Sequence, residues 1–167
     1  DPHLEPEPPM KRALTIAQAS YGSDDPTVAL KLNNLAHLYH NTNRLKESEA
    51  LYKRAITIDQ SSLGMDYPDV AIKLNNLAEL YKATNRLKEA EPLMKRALTI
   101  AEASYGKDHP SVAIKLNNLA HLYHNTNRLK EAEALYKRAM TIDEASLGRD
   151  HPDVARDLNN LAQLYKA

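Results

Sequence analysis

The chain has 167 residues, with 22 Lys and Arg balanced by 22 Asp and Glu, and it contains no Cys, Trp or Phe. A net charge of zero leaves no basic surface for a phosphate backbone, and the lack of cysteine excludes disulfides and cysteine zinc sites. Neither a signal segment nor a run of about 20 apolar residues is present, so we expect a cytoplasmic location and no membrane association.

The four glycines recur at a fixed interval. Gly22, Gly64, Gly106 and Gly148 are each 42 residues apart, and four copies of the motif Leu-Asn-Asn-Leu-Ala keep the same spacing. Four prolines follow it as well, namely Pro26, Pro68, Pro110 and Pro152. A fixed period of this size is typical of stacked structural repeats. The sequence therefore predicts a repeat array instead of one compact domain.

Residues that typically begin and end helices predict a helical hairpin in each unit. Residues 1–9 are rich in proline and are predicted to be an irregular tail, followed by a helix from Met10 to Tyr21. Pro26 begins the next helix, which runs to about residue 41 with apolar residues at helical spacing. Asn43 tolerates the left-handed conformation that ends it. A second helix then runs from about residue 44 to 62, before Gly64. We call the helices after the four prolines first-type and the others second-type.

The phase of the repeat predicts the domain organisation. A single array covers 10–167, with a half-unit at 10–25, full units at 26–67, 68–109 and 110–151, and a half-unit at 152–167. Pro92 lies inside a predicted second-type helix, so we expect a kink or a late start near it. Arg156 and Asp157 replace Ile114 and Lys115 of the preceding unit and are expected to alter the last helix only slightly.

Three motifs that recur with few substitutions carry a family resemblance. They read L-N-N-L-A-x-L-Y, N-R-L-K-E-A-E-x-L and K-R-A-x-T-I, and the connector S-L-G-x-D-H-P-D-V-A follows them. The unit resembles the tetratricopeptide repeat, in the 42-residue variant of kinesin light chains. The resemblance implies an all-α fold of antiparallel helical hairpins stacked into a right-handed superhelix. It also implies that first-type helices line a concave surface.

The polar face of the first-type helices is the predicted peptide-binding groove. It lies opposite the apolar face by helical spacing. An Asn amide both donates and accepts hydrogen bonds, so it can pair with the backbone of an extended peptide. Alternatively, the Asn residues pack polar atoms between neighbouring first-type helices. The predicted groove residues are Asn33, Asn34, His37, His40, Asn41, Asn75, Asn76, Glu79, Lys82, Asn117, Asn118, His121, His124, Asn125, Arg156, Asn159, Asn160 and Gln163.

Two further residue patterns resemble binding sites less closely. The second Asn of each pair matches the Asn of carboxylate-binding family members, but the accompanying cationic positions are Leu30, Ile72 and Ile114, so a full carboxylate clamp is not expected. The histidines of the groove supply two ligands per cluster, fewer than a metal site needs. No catalytic set or phosphate loop is present. We therefore expect no catalytic residue, metal or cofactor, and no enzyme.

Two functions from different classes remain open. The first is a non-enzymatic interaction scaffold that binds extended segments of protein partners in the groove. The alternative is a structural array that self-assembles head to tail. Its basis is that the first second-type helix and the last first-type helix each lack a hairpin partner. Such heterologous contacts propagate instead of closing.

Overall fold

A computed structural model describes residues 5–167, which form eight α-helices and no strand. The first half contains α1 (Glu7–Tyr21), α2 (Pro26–Asn41), α3 (Leu45–Leu63) and α4 (Pro68–Ala83). The second half contains α5 (Leu87–Tyr105), α6 (Pro110–Asn125), α7 (Leu129–Leu147) and α8 (Pro152–Tyr165). The predicted all-α fold is confirmed, with first-type helices at α2, α4, α6 and α8. None of the eight combines the length and the apolar character needed to span a bilayer.

The helices form two compact units, one ending at Arg86 and the other beginning at Leu87. Unit 1 contains α1 to α4, in which α2 packs against its hairpin partner α3 and against α1, and α3 packs against α4. Unit 2 contains α5 to α8, in which α6 packs against α5 and α7, and α7 packs against α8. Each first-type helix in the middle of a unit is therefore enclosed by the second-type helices before and after it.

Equivalent residues build the core of each unit. In unit 1, Val28 and Leu32 of α2 are fully buried beside Ala17 of α1 and Ala55 and Ile58 of α3. The alanines let the helices approach closely, and each buried Val or Leu contributes roughly 1.5–3 kcal/mol. The core of unit 2 consists of Ala101, Val112, Ala113, Leu116, Ala139 and Ile142.

Asparagine ends three of the first-type helices in the left-handed conformation, as predicted. The φ angles are 64° at Asn43, 59° at Asn85 and 62° at Asn127. At the first of these turns, the Asn43 N–H donates to the carbonyl of His40, and the Arg44 N–H donates to the carbonyl of Tyr39. These two bonds define a Schellman motif, which satisfies carbonyls at the end of the helix. The motif also brings the side chain of residue 44 back over the last turn.

This turn creates a Glu–Tyr–Arg cluster that connects successive hairpins. The Arg44 guanidinium lies 3.8 Å from the centre of the Tyr39 ring. Its Nη1 lies 2.6 Å from Oε2 of Glu7 on α1, and the Tyr39 hydroxyl donates to Oε1 of the same carboxylate at 2.9 Å. Arg44 thus supplies the contact with Tyr39 that an apolar residue often makes in this motif.

The cluster recurs once more in unit 1 and once in unit 2. It joins Glu49 of α3 to Tyr81 and Arg86, with Arg86 Nη1 2.7 Å from Glu49 Oε2 and the Tyr81 hydroxyl 3.0 Å from Glu49 Oε1. In unit 2 it consists of Glu91, Tyr123 and Arg128. The bond from Arg86, aided by Lys53 and the Tyr81 hydroxyl, lowers the pKa of Glu49 to about 2. The ionised carboxylate therefore stabilises the folded chain.

Helix α1 begins earlier than the sequence predicts. Residues 1–4 of the expected tail lie outside the described residues, but α1 starts at Glu7, three residues before the predicted Met10. Prolines in the first turn cost no intrahelical hydrogen bond, so Pro8 and Pro9 are compatible with this start. The bonds from Tyr39 and Arg44 to Glu7 also hold the first turn in place.

The late start expected near Pro92 is wrong, because α5 is continuous from Leu87 to Tyr105. Pro92 lies on the exposed side of the helix. The bond it cannot donate would go to the carbonyl of Lys88 in the first turn, where water can take its place. The helix therefore continues through the proline, at the cost of one backbone bond.

Replacement of Glu49 by Gln should weaken the connection between the hairpins of unit 1. We expect the free energy of unfolding to fall by about 2 kcal/mol at pH 7. Because the pKa of Glu49 is lower in the folded chain, its stabilisation is complete above the ordinary value of 4.5 and is lost as pH falls towards 2. Urea denaturation across this range should show the two proteins converging in acid.

The equivalent Glu133→Gln variant is the matched control. Glu133 pairs with Lys137 of its own helix, and no arginine within the described part of the chain contacts it, so its replacement should have little effect. Equal losses in the two variants would contradict a special role for the cluster.

Replacement of Pro92 by Ala should stabilise the protein. The substitution restores one helical hydrogen bond and removes a clash worth up to about 3 kcal/mol. The reciprocal Ala134→Pro variant places proline at the equivalent exposed position of α7 and should cost a similar amount. Thermal and urea denaturation would measure both, and an unchanged or lower stability of Pro92→Ala would contradict the expectation.

Candidate functional site

Unit 1 has a surface depression of about 590 Å³. Its polar lining comes from the predicted groove, and the exposed side chains of Asn34, His37 and Asn41 reach it from α2. Met10 of α1 and Leu38 of α2 add apolar surface. Asn33 and Asn76 complete the lining. The depression therefore combines amide groups with apolar contacts at one place.

Unit 2 has a smaller depression, of about 240 Å³, built from equivalent helices. Asn117, Asn118 and His121 line it from α6, and Arg156 and Asn160 line it from α8. Ile114 and Tyr136 add apolar surface. This depression contains a cation, Arg156, which the depression in unit 1 lacks.

Some of the asparagines pack between first-type helices. The Asn76 amide donates to the Asn33 Oδ1 at 3.1 Å, which joins α4 to α2. Asn117 donates to Asp157 Oδ1 at 2.9 Å, which joins α6 to α8. By contrast, Asn34 and Asn118 occupy equivalent positions and make no side-chain hydrogen bond within residues 5–167. The asparagine ladder thus contains packing members and members whose amides remain available.

The remaining predicted groove residues are outside the linings of these two depressions. Glu79 and Lys82 pair with each other on α4 at 3.2 Å, as expected for residues one turn apart. His124 packs edge-on against His121, with ring centres 6.5 Å apart. The others outside the linings are His40, Asn75, Asn125, Asn159 and Gln163.

The expectation that Arg156 and Asp157 alter α8 only slightly is wrong. Asp157 is completely buried, and Arg156 contacts three carboxylates. Arg156 Nη2 lies 3.3 Å from Asp143 and 3.5 Å from Asp157, and Nη1 lies 3.5 Å from Asp153. A carboxylate has replaced the lysine of the preceding repeats, so the charges around this helix are rearranged. Arg156 thus contacts one carboxylate of α7, Asp143, and two of its own helix, Asp153 and Asp157.

Sequence reasoning missed the apolar part of each lining. The predicted groove does not include Met10, Leu38, Ile114 and Tyr136, although they reach the depressions. Exposure of Ile114 was detectable from its phase, because it lies on the same side of α6 as Asn118 and His121. The contribution of Met10 depends on where α1 packs and therefore required the structure.

No group of three or more His, Asp or Glu side chains in residues 5–167 is arranged to hold a metal ion. Two histidines have a structural role instead. His109 and His151 precede α6 and α8, and their Nδ1 atoms accept hydrogen bonds from the backbone N–H groups of Ser111 and Asp153. Such bonds satisfy free donors of the first turn.

The hairpins, their 42-residue period and the polar faces of the first-type helices define a helical-repeat protein. The family model of the tetratricopeptide repeat matches residues 10–61, 69–145 and 111–167. The chain therefore belongs to the tetratricopeptide repeat family. Repeats of this family form scaffolds that mediate protein interactions. No curated protein matches the chain significantly.

Solved structures agree with this assignment. The nearly identical TPR-like repeats assigned to a kinesin light chain of Podospora anserina superpose with a TM-score of 0.82 at 22% identity, covering 94% of this chain and 74% of that one. BtubC (BKLC) from P. vanneervenii gives a TM-score of 0.85 at 28% identity, covering 96% and 64%. The N-terminal domain of STI-1 from C. elegans gives 0.61 at 14% identity, covering 82% and 96%. The chain thus shares its fold with kinesin light chain-like arrays.

Proposed function

We propose that the chain is a non-enzymatic scaffold whose two depressions each bind a short extended segment of a partner protein. The observation that carries this proposal is the recurrence of an amide-lined depression on the first-type helices of both units. Asn34 and Asn118 lie at equivalent positions in the two linings, and their amides have no partner within the described residues. An exposed amide can pair with both the donors and the acceptors of a peptide backbone.

The apolar residues of the linings supply the rest of the affinity. A single hydrogen bond contributes only about 0.5–1.5 kcal/mol, so the asparagines alone would bind weakly. Met10 in unit 1 and Ile114 in unit 2 offer apolar contacts next to them. Together these contacts fit binding near the micromolar range, about −8 kcal/mol. Selectivity would come from the groups that differ between the units, chiefly Arg156.

A second candidate function, head-to-tail association of copies, is favoured by the exposure of two end helices. Leu158 of α8 is 53% exposed, whereas its equivalents Leu32 and Leu116 are completely buried. Ile16 of α1 is 55% exposed, whereas its equivalent Ile58 is 4% exposed. The internal hairpin α2–α3 shows how such faces cover each other. In the same way, helix α1 of a second copy could pack against helix α8 of the first.

The peptide-binding proposal is tested with segments selected from a display library of random peptides. The tightest of these is synthesised as the probe. We expect Asn34→Ala to weaken binding in the depression of unit 1, and Asn118→Ala to weaken binding in that of unit 2, each by about 0.5–1.5 kcal/mol, or roughly 2- to 13-fold, without changing the free energy of unfolding. Isothermal titration calorimetry and urea denaturation would measure the two quantities.

Asn76→Ala is the control for packing. It leaves the Asn33 Oδ1 without its donor and should cost about 1 kcal/mol of stability in the peptide-free protein. Failure of the library to yield a binder, or loss of stability without loss of binding in the Asn34 and Asn118 variants, would refute recognition by these amides.

Association of copies is tested by sedimentation velocity across a wide range of protein concentration. We expect the sedimentation coefficient to rise steadily, because a head-to-tail contact does not close. Leu158→Lys should abolish the rise, whereas Leu30→Lys, at an exposed position of internal helix α2, should preserve it. A constant monomeric value for the unmodified chain would reject this function.

A further inference from the structure

Two equivalent helix contacts contain different charge pairs. In unit 1, Asp59 of α3 and Lys73 of α4 are buried and form an ion pair with a distance of 2.5 Å between Nζ and Oδ2. Two periods later, α7 and α8 of unit 2 meet at Asp143 and Asp157, which are also buried. Lysine occupies the position of Asp157 in the three preceding repeats, so the ammonium group has been replaced by a second carboxyl group.

The surrounding groups do not fully balance the negative charge that this replacement introduces. Asn117 of α6 donates to Asp157 Oδ1, while the Oδ2 of Asp157 is buried with no hydrogen-bond donor among residues 5–167. Arg156 contacts both carboxyl groups at 3.3 and 3.5 Å, but it also contacts Asp153. One guanidinium group thus faces three carboxyl groups, and two of these are buried.

A shared proton resolves the conflict between the two buried carboxyl groups. Two carboxylates in one site repel each other, and burial disfavours their charged forms. Burial together with the hydrogen bond and the charge of Asp157 raises the pKa of Asp143 to about 7, against a lowering by Arg156. A protonated Asp143 can donate to Asp157, so the proton takes the place that the lysine ammonium has in unit 1.

We propose that the proton shared by Asp143 and Asp157 is part of the contact between α7 and α8, so that α8 is held less firmly as the pH rises towards neutrality. Helix α8 carries Arg156 and Asn160, which form one side of the depression in unit 2. Loosening of α8 would therefore remove that side. This last consequence, control of ligand binding, rests on the proposed function, whereas the proton linkage itself does not.

The ionisable groups near this contact come from all three helices. On α8 they are Asp153, Arg156 and Asp157, and His151 lies 3.9 Å from Asp153 at the start of that helix. On α7, Asp143 itself lies at the contact, and Tyr136, whose pKa burial raises, lines the adjacent depression. From α6, Asn117 is neutral, while His121 lines the adjacent depression. Histidines ordinarily titrate near neutral pH, so the experiment must separate His121 and His151 from the carboxyl pair.

Hydrogen exchange of the α8 amides as a function of pH tests the proposal without any peptide. Because the pKa of Asp143 is higher in the folded chain than its ordinary value of 3.8, the stabilisation is complete below that value and is lost as pH rises to about 7. After correction for intrinsic exchange, protection of α8 should fall about tenfold per pH unit from pH 5 to near 7 and level off above. A flat profile would overturn the proposal.

Two variants identify the groups responsible. Asp157→Lys recreates the pair of Asp59 and Lys73 and should give a flat profile with higher protection near neutral pH. Asp143→Asn removes the titrating acid with little change in shape and should also flatten the profile, which keeps the test decisive if the lysine variant does not fold. His121→Gln and His151→Asn should retain the original slope. A slope that survives in Asp143→Asn, or disappears in either histidine variant, would contradict the carboxyl pair as its origin.

Discussion

The contact between an arginine and a tyrosine at the end of α2, α4 and α6 is the constraint on which the rest of the structure depends. The left-handed asparagine at residues 43, 85 and 127 turns the chain so that the arginine after it lies over the tyrosine ring. The arginine can then reach a glutamate of the preceding second-type helix. One local turn thus sets both the hairpin angle and the alignment of the next hairpin. The alanine-rich core fills the space that this alignment leaves.

The proposed binding sites lie on the helix faces that these contacts do not use. Most tyrosines, leucines and alanines of the first-type helices are buried between helices, and the polar faces of these helices remain at the surface. Within those faces, the structure separates asparagines that connect neighbouring helices, such as Asn33 and Asn76, from asparagines with available amides, such as Asn34. The same repeat position thus carries a packing amide in α4, at Asn76, and an available amide in α2, at Asn34.

The helices were predictable to within a few residues because proline, glycine and asparagine mark their ends through local backbone geometry. Helix α2 matches its predicted span of 26–41. The late start expected near Pro92 was wrong because this proline lies on the solvated side of α5. The Glu–Tyr–Arg clusters were not predicted, since Glu49 and Tyr81 lie on different hairpins and their contact depends on helix packing. The sequence contained one indication of the pair formed by Asp143 and Asp157. Asp157 breaks a run of lysines at its repeat position, but its burial and its contact with Asp143 required the structure.

The charged side chains of the Glu–Tyr–Arg clusters affect how the array unfolds. In a repeat protein each hairpin is coupled only to its neighbours, and the strength of that coupling sets how many hairpins unfold as one cooperative block. Here part of the coupling comes from half-exposed charges, which dissolved ions screen. Ionic strength therefore tunes the length of the cooperative block: dilute salt favours concerted unfolding, and concentrated salt favours fraying hairpin by hairpin.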